Sequence, residues 1–297
     1  MKDNTVATQS QLTAQSAAEL RPRRPIPWGK IFTILILGIG ALLMIAPFMW
    51  IISSAFGKTT EVFVLPPRWF PQSISFENFE DVFDQVPYEL FMFNSLKLAV
   101  IVTIGQLITC SMAAYAFARL HFPGRNFLFF LLLASLMIPG QITIVPLFIL
   151  VRNMGLYNTH LALILPALIS PFGVFLLRQY FVTLPVELED AARVDGASTF
   201  TIYWRIILPL SGPVLMTLAI LTFVGMWNSY FFPLIMINSP ELQVITVGLT
   251  LLRGQYGAGA LGPIAAALTM AIVPVLIVFL LLQKYIIKSI VSTGLKT

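Results

Sequence analysis

Apolar residues run through this chain in long unbroken blocks rather than in alternation. Six stretches hold no Asp, Glu, Lys or Arg and reach the roughly 20 residues that a membrane helix needs. They cover 31–57, 98–118, 126–151, 153–177, 206–240 and 254–283. Each predicts one transmembrane helix shorter than the stretch itself. Only Arg152 separates the third block from the fourth, so the turn is expected at Arg152-Asn153-Met154-Gly155, where Asn and Gly favour one. Pro139-Gly140 lies mid-block and predicts a kink, because Pro removes a helix hydrogen bond and Gly loosens the backbone. The first 29 residues are polar and include Arg21-Pro22-Arg23-Arg24-Pro25, which reads as a disordered tail with a basic stop. Residues 30–297 then form the six-span domain. The apolar run after the tail is too long for the core of a cleavable signal peptide and reads as an uncleaved insertion signal.

The polar interruption between the fourth and fifth blocks is different in kind. Residues 187–209 place Glu187, Glu189, Asp190, Arg193, Asp195 and Arg205 into apolar surroundings, over a length no simple turn requires. Pro185 suits a first helical turn, and acidic residues just after it suit the helix dipole. Ala191 and Ala192 favour helix and leave a low surface. Asp195-Gly196 reads as a helix stop, with Gly taking the left-handed conformation. Ser198 reads as the cap of a second helix, and Pro209 as the opening of the next span. The expectation is two short helices with a sharp bend, small residues at the bend letting another protein approach closely.

Composition agrees with a membrane chain: 58% of residues are hydrophobic and 10% charged, against about 25% charged in a soluble domain. Mean hydropathy is +0.87. The net charge of +5 fits cationic loops on one face of a membrane better than nucleic acid. With both termini inside, only Lys58, Arg68, Lys97, Arg152 and Arg253 of the 18 Lys and Arg fall outside. That asymmetry sets the expected orientation, both termini cytoplasmic. The loop at 58–89 carries Glu61, Glu77, Glu80, Asp81, Asp84 and Glu89 and falls outside. The single Cys110 lies in an apolar run and reads as structural.

Asp190-Ala191-Ala192, three residues, Gly196, nine residues, Ile206, one residue and Leu208-Pro209 resemble the EAA motif of ABC importer permeases. Asp190 stands where the motif usually has Glu, and Glu189 precedes it. The resemblance implies a coupling loop over 184–209 that sits in a groove of a cytoplasmic ATPase. Its residues would be Glu187, Glu189, Asp190, Ala191, Ala192, Asp195, Gly196, Ala197 and Pro209. Similarity continues over 31–297 to the permeases of maltose-type, carbohydrate-importing systems. It is carried by 113–120 (AAYAFARL), Phe122-Pro123-Gly124-Arg125, 139–146, Met154-Gly155-Leu156-Tyr157, Trp227-Asn228 with Pro233-Leu234, and 66–71 with Glu77-Asn78-Phe79. The short C-terminal tail is similar to that of the smaller of the two permeases.

The resemblance implies an all-α integral membrane protein of MetI-like permease architecture, with six transmembrane helices. It implies binding-protein-dependent import of a sugar or oligosaccharide across the cytoplasmic (inner) membrane of a bacterium or archaeon. The implied partners are an ATPase dimer that binds ATP and Mg, a second permease, and an extracellular or periplasmic solute-binding protein. Two further expectations come with it. The loop at 238–263, with Gln255, Tyr256 and Gly257, would reach the binding protein, and the tail at 284–297 would touch the ATPase dimer.

Polar residues inside spans often face a pathway. Asn94, Gln106, Gln141, Trp227, Asn228, Ser229 and Tyr230 are the candidates here, with helix-to-helix hydrogen bonding as the alternative for each. His121 and His160 stand apart from any ligand-spaced partner, so no metal site is expected. No G-x-x-x-x-G-K-[ST] phosphate loop occurs. The chain is therefore expected to be a transport subunit, with ATP hydrolysed elsewhere and no cofactor of its own. A permease for another solute such as glycerol phosphate is the near alternative. An ion-coupled secondary transporter is the distant one, disfavoured by the lack of intramembrane carboxylates. A membrane-embedded enzyme would need a nucleophile–base or metal constellation, and none is seen.

Overall fold

The computed structural model describes residues 28–58, 69–256 and 261–294, with side chains at 28, 31, 255–256 and 285–294 excepted. The expected tail at 1–29 and the Pro66–Arg68 part of the quoted outer segment therefore lie almost wholly outside the described residues. Gly257, the side chains of Gln255 and Tyr256, and the side chains of the tail beyond Lys284 lie outside them as well. Regular structure among the described residues is helical, with no strand. Two compact units are distinguished, Met1–Met49 and Trp50–Thr297. The first contributes most of one apolar helix, α1 (Trp28–Phe56). The rest of the chain forms a charged helix α2 (Glu77–Gln85), then α3 (Tyr88–Arg119), α4 (Arg125–Ser135), α5 (Gly140–Asn153), α6 (Leu161–Ala167) and α7 (Pro171–Thr183). The loop region carries α8 (Glu187–Val194), α9 (Thr199–Ile202), a π-helical turn Tyr203–Ile207 and α10 (Leu208–Leu210). After it come α11 (Gly212–Trp227), α12 (Phe231–Met236), α13 (Ile245–Tyr256) and α14 (Leu261–Gly294).

Among the described residues, four helices are long and apolar enough to cross a membrane alone: Phe32–Phe56, Tyr88–Arg119, Leu161–Thr183 and Leu261–Lys284. Six result when two bent pairs each count as one span. The first pair, α4 and α5, turns by 102°, so Pro139-Gly140 makes a break rather than the expected kink. The second pair, Thr199–Leu210 and Gly212–Trp227, turns by 78°. Here the sequence reading needs correction. Pro209 does not open the fifth span but lies inside α10, ahead of the bend, and the longer arm of that span starts at Gly212 with Pro213 in its first turn. The turn between the third and fourth blocks falls where expected. α5 ends at Asn153, and Gly155 (φ +71°) and Asn158 (φ +60°) take left-handed conformations just beyond it.

Inside unit 50–297, α3 is the central post. Its first turns pack Tyr88 and Phe91 among Val82, Phe223, Trp227, Ile245 and Ala265–Ala267. Its middle packs Leu98 and Val102 among Ala162, Leu163, Met236 and Val247. Its last turns pack Cys110, Ala114 and Tyr115 against Val174, Leu177, Phe181, Tyr203 and Leu218. Close approach to α7 depends on Gly173, where a Cβ would stand 3.0 Å from Cys110 Sγ and 3.2 Å from Leu218. Small residues of this kind let membrane helices pack backbone to backbone.

The same post closes the gap between α6 and α7. A helix break in a membrane leaves carbonyls that no water can satisfy. Gln106 Nε2 donates to the Ala167 carbonyl at 2.7 Å, and Thr109 Oγ1 donates to that of Leu168. Cys110 Sγ lies 3.6 Å from the Ser170 carbonyl and 3.4 Å from its amide N. Ser170 Oγ in turn caps α7 by accepting from Gly173 N at 3.1 Å.

Candidate functional site

The loop between α7 and α11 is built from its ends. Pro185 sits in the turn ahead of α8 rather than in its first turn, and Val186 stands at the cap without a side-chain bond. α8 carries Glu187, Glu189 and Asp190 in its first turn and Arg193 in its last, an order the helix dipole favours. Its end is a Schellman closure: Ala197 N donates to Ala192 O at 2.9 Å, and Gly196 N to Arg193 O at 3.0 Å. Gly196 has φ +80° and open space around its Cβ position, so the backbone angle alone selects glycine there. Ser198 caps α9 as expected, its Oγ accepting from Thr201 N at 3.2 Å.

The acidic residues of α8 divide between two sides. Asp190 is exposed and pairs with Arg193 at 2.8 Å. Glu187 and Asp195 are exposed too. Glu189 is buried at 1% exposure, its Oε1 2.8 Å from Arg119 Nε and its Oε2 3.3 Å from Arg193. Tyr115 OH donates to Oε2 at 3.4 Å, and Arg119 Nη2 donates to the Leu184 carbonyl at 2.6 Å. Dipole matching thus explains Asp190 and Glu187 but not Glu189, whose partners come from the last turns of α3. From the sequence, Arg119 stood among the inside cations and within the 113–120 segment that carries the resemblance, with no partner assigned. The one signal for its role was its place as the first cation after the apolar run that begins at 98.

Around the bend, apolar side chains face outward: Val186, Leu188, Val194, Phe200 and Trp204 are exposed, with the last two rings stacked at 6.5 Å. Ala191 is exposed, and Ala192 and Ala197 are half-buried beneath them. Pro209 is exposed at the far end.

The pathway candidates scatter. Asn94 is buried at 2% exposure, and its Nδ2 donates to the carbonyls of Glu241 (2.8 Å) and Gln243 (3.0 Å). Trp227 is buried against Phe223 at 6.0 Å in the first core cluster. Both have the surroundings of helix-to-helix bonding and packing. Asn228 is exposed, with Nδ2 donating to Val224 O at 3.0 Å. Tyr230 is half-buried against Phe231, and Gln141 is exposed at the start of α5. One cavity of about 410 Å³ is lined by Thr143, Leu147, Pro166, Pro171 and Ser229, among others. Another of about 290 Å³ is lined by Gln106, Ser170, Thr222 and Gly225. The two share Ala167, Met226 and Ser229, and no Lys or Arg lines either. Asn158 was not foreseen: its Oδ1 accepts from the amides of Asn238 and Ser239, both at 2.9 Å, tying the α5–α6 turn to the end of α12. Among the described residues no group of His, Cys, Asp and Glu could hold a metal.

Residues 105–292 match the family model of binding-protein-dependent transport system inner membrane components. The chain is 35% identical over 282 residues to the probable ABC transporter permease protein YurM of Bacillus subtilis, covering 93% of this chain and 92% of the relative. It is 36% identical over 259 residues to the arabinooligosaccharides transport system permease protein AraQ of Halalkalibacterium halodurans, covering 86% and 92%. It is 31% identical over 270 residues to the sn-glycerol-3-phosphate transport system permease protein UgpE of Yersinia enterocolitica, covering 89% and 96%. A chain in the crystal structure of a bacterial ABC transporter involved in import of the acidic polysaccharide alginate superposes with a TM-score of 0.77 at 25% identity, covering 88% of this chain and 98% of that one. Together with the six-span helical fold and the loop at 184–209, these likenesses make the chain a member of the binding-protein-dependent transport system inner membrane component family, an ABC importer permease and so a transport subunit rather than an enzyme.

Proposed function

We propose that this permease imports a sugar or oligosaccharide, and that residues 184–209 dock on a cytoplasmic ABC ATPase dimer. The observation that carries the docking reading is the exposed apolar rim of Val194, Phe200 and Trp204 around the left-handed Gly196. Large exposed apolar side chains close in sequence to charged residues suit a protein partner. Glu187, Asp190, Ala191, Asp195 and Gly196 supply the charged and flat parts of that surface, with Ala192, Ala197 and Pro209 shaping it. ATP and Mg belong to the partner. A second permease completes the pathway, and a solute-binding protein delivers the solute from outside, where Gln255, Tyr256 and Gly257 would meet it. Both termini face the cytoplasm, and the membrane is the cytoplasmic membrane of a bacterium or archaeon. The tail at 1–29 is a separate polar segment ahead of the spanning domain.

A sugar or oligosaccharide is favoured over a phosphate ester. AraQ is named for transport of arabinooligosaccharides, and neither cavity is lined by Lys or Arg. A phosphate ligand would call for cationic donors. The likeness to glycerol-3-phosphate permeases keeps the second reading in view. The test is purification in mild detergent from native membranes, followed by reconstitution with whatever co-purifies. ATPase and a second permease in the complex, with uptake of a labelled arabino- or malto-oligosaccharide but not of sn-glycerol 3-phosphate, is the expected result. Recovery of the chain alone under several gentle conditions overturns the docking reading. Uptake of the phosphate ester alone overturns the sugar.

A further inference from the structure

We propose that Glu189 is the positioning residue through which movement of α8 reaches the spanning helix α3, by way of its buried ion pair with Arg119. The inference deepens the reading of 184–209 as an ATPase-docking loop and rests on it. Arg119 is the last residue of a helix that runs unbroken from Tyr88. Its Nε stands 2.8 Å from Glu189 Oε1, and the two side chains are 9% and 1% exposed. Neither of those atoms has a hydrogen bond to any other described residue. Arg119 therefore has Glu189 as its carboxylate, and Oε1 of Glu189 has Arg119 as its donor, in a place with almost no solvent access.

The contact is one of three on a single stripe of α3. Ser111, Tyr115 and Arg119 are spaced four residues apart and so share a face. Ser111 Oγ shares a hydrogen bond with Tyr203 OH at 2.7 Å. The Tyr115 ring lies 5.4 Å from the Tyr203 ring, and its hydroxyl donates to Glu189. Arg119 takes Glu189 with Nε and the Leu184 carbonyl with Nη2. One helix face thus grips the entry to the loop, its first helix and the turn after its second. Glu189 and Asp190 are neighbours with opposite duties: Asp190 lies on the exposed side, 62% exposed and paired only within α8, while Glu189 turns inward to α3. A displacement of α8 either carries the end of α3 with it or strips the buried Arg119 of its carboxylate and leaves Glu189 with only the more exposed Arg193 of its own helix. The second course is costly in a low-dielectric setting. The pair makes the first the cheaper.

The test uses the complete transporter in proteoliposomes: this chain, its second permease, the ATPase dimer and the binding protein. Two quantities are read, ATPase retained in the complex and solute transported per ATP hydrolysed. Glu189→Gln is expected to keep most of the bound ATPase and its hydrolysis while solute per ATP falls by about tenfold, inside the usual span of coupling effects. Asp190→Asn is expected to do the reverse, weakening retention without changing the ratio. Because a single change can harm folding, Arg119→Met with Glu189→Leu is the deciding variant. Apolar replacement of a buried pair is often neutral or stabilising. A pair that serves folding alone would be replaced without loss. A pair that transmits movement would leave an assembled complex with a lowered ratio. A wild-type ratio in the double variant overturns the proposal, as does an unchanged ratio in whatever complex the single variant forms. A wild-type chain that retains no ATPase refutes the docking reading instead.

Discussion

At the scale of single residues, the loop between α7 and α11 depends on two side chains and one backbone angle. Gly196 holds φ +80° with nothing within 4 Å of its Cβ position. A Cβ there meets no neighbour, yet it strains a left-handed backbone by about 1–2 kcal/mol, whereas asparagine tolerates that region. Gly196→Val is therefore expected to reach the membrane in normal amount but to retain little ATPase on purification, and Gly196→Asn to retain nearly all. Equal loss in the two would mean that bulk at the docking surface, not backbone angle, is what matters. The Glu189–Arg119 pair sets the second expectation. Removing one partner from a buried ion pair costs about 3–5 kcal/mol. Cys110 is the chain's single cysteine and is buried, so a thiol-reactive dye reports its exposure on unfolding. The melting midpoint read this way is expected to fall clearly in Glu189→Gln and Arg119→Met, and to recover in the apolar double variant.

At the scale of elements, what was legible in the sequence follows from what each signal depends on. The spans were legible because a run of apolar residues is a local property that the bilayer reads directly. The stop at Gly196, the cap at Ser198 and the turn at Gly155 were legible for the same reason, being chemistry within a few residues. The 102° break at Pro139 and the 78° bend at Ser211 were not, because the size of a bend is set by what surrounds it. The inward turn of Glu189 was hidden as well, since its partner lies 70 positions earlier on α3. Asn94 and Gln106 read as pathway residues because a polar side chain in an apolar block looks the same whether it faces solute or satisfies a carbonyl. Gln106 satisfies the Ala167 carbonyl and also lines a cavity, so Gln106→Leu should leave that carbonyl unpaired and lower stability by about 1–3 kcal/mol, visible in the same dye-based melt. α2 offers a pH-dependent case outside the spans. Burial, and then Glu77 and Asp84, hold the Asp81 carboxyl above its ordinary range. A raised carboxylate pKa means that ionised Asp81 opposes folding, and that the cost disappears as pH falls and the group protonates. Asp81→Asn should therefore raise the melting midpoint at neutral pH, and its advantage over wild type should shrink toward zero as the pH is lowered through the carboxylate range.

At the scale of the whole molecule, everything proposed for the loop turns on which side of the membrane it faces. The chain's apolar helices supply the spans, and the loop proposed to dock lies between the fourth and fifth of them. With both ends inside, an odd number of crossings separates 184–209 from the turns at 154–160 and 238–243, so the loop and those turns must lie on opposite sides. The excess of Arg and Lys at 119–125, 178, 193 and 205 is the ground for the proposal that the loop faces inside. Asn158 and Ser239 are joined by a hydrogen bond of 2.7 Å from Asn158 Nδ2 to Ser239 Oγ, which places their turns on one face of the protein. His121, in the exposed link between α3 and α4, belongs to the other. Two cysteine variants then decide the matter. In intact cells with only the inner membrane as a barrier, a membrane-impermeant maleimide is expected to label Asn238→Cys and to leave His121→Cys unlabelled until the membrane is opened. Buried Cys110 contributes little background in the folded protein. The reverse pattern would put the loop outside, away from ATP and from any ATPase, and the docking surface, the clasp on α3 and the direction of import would fall together.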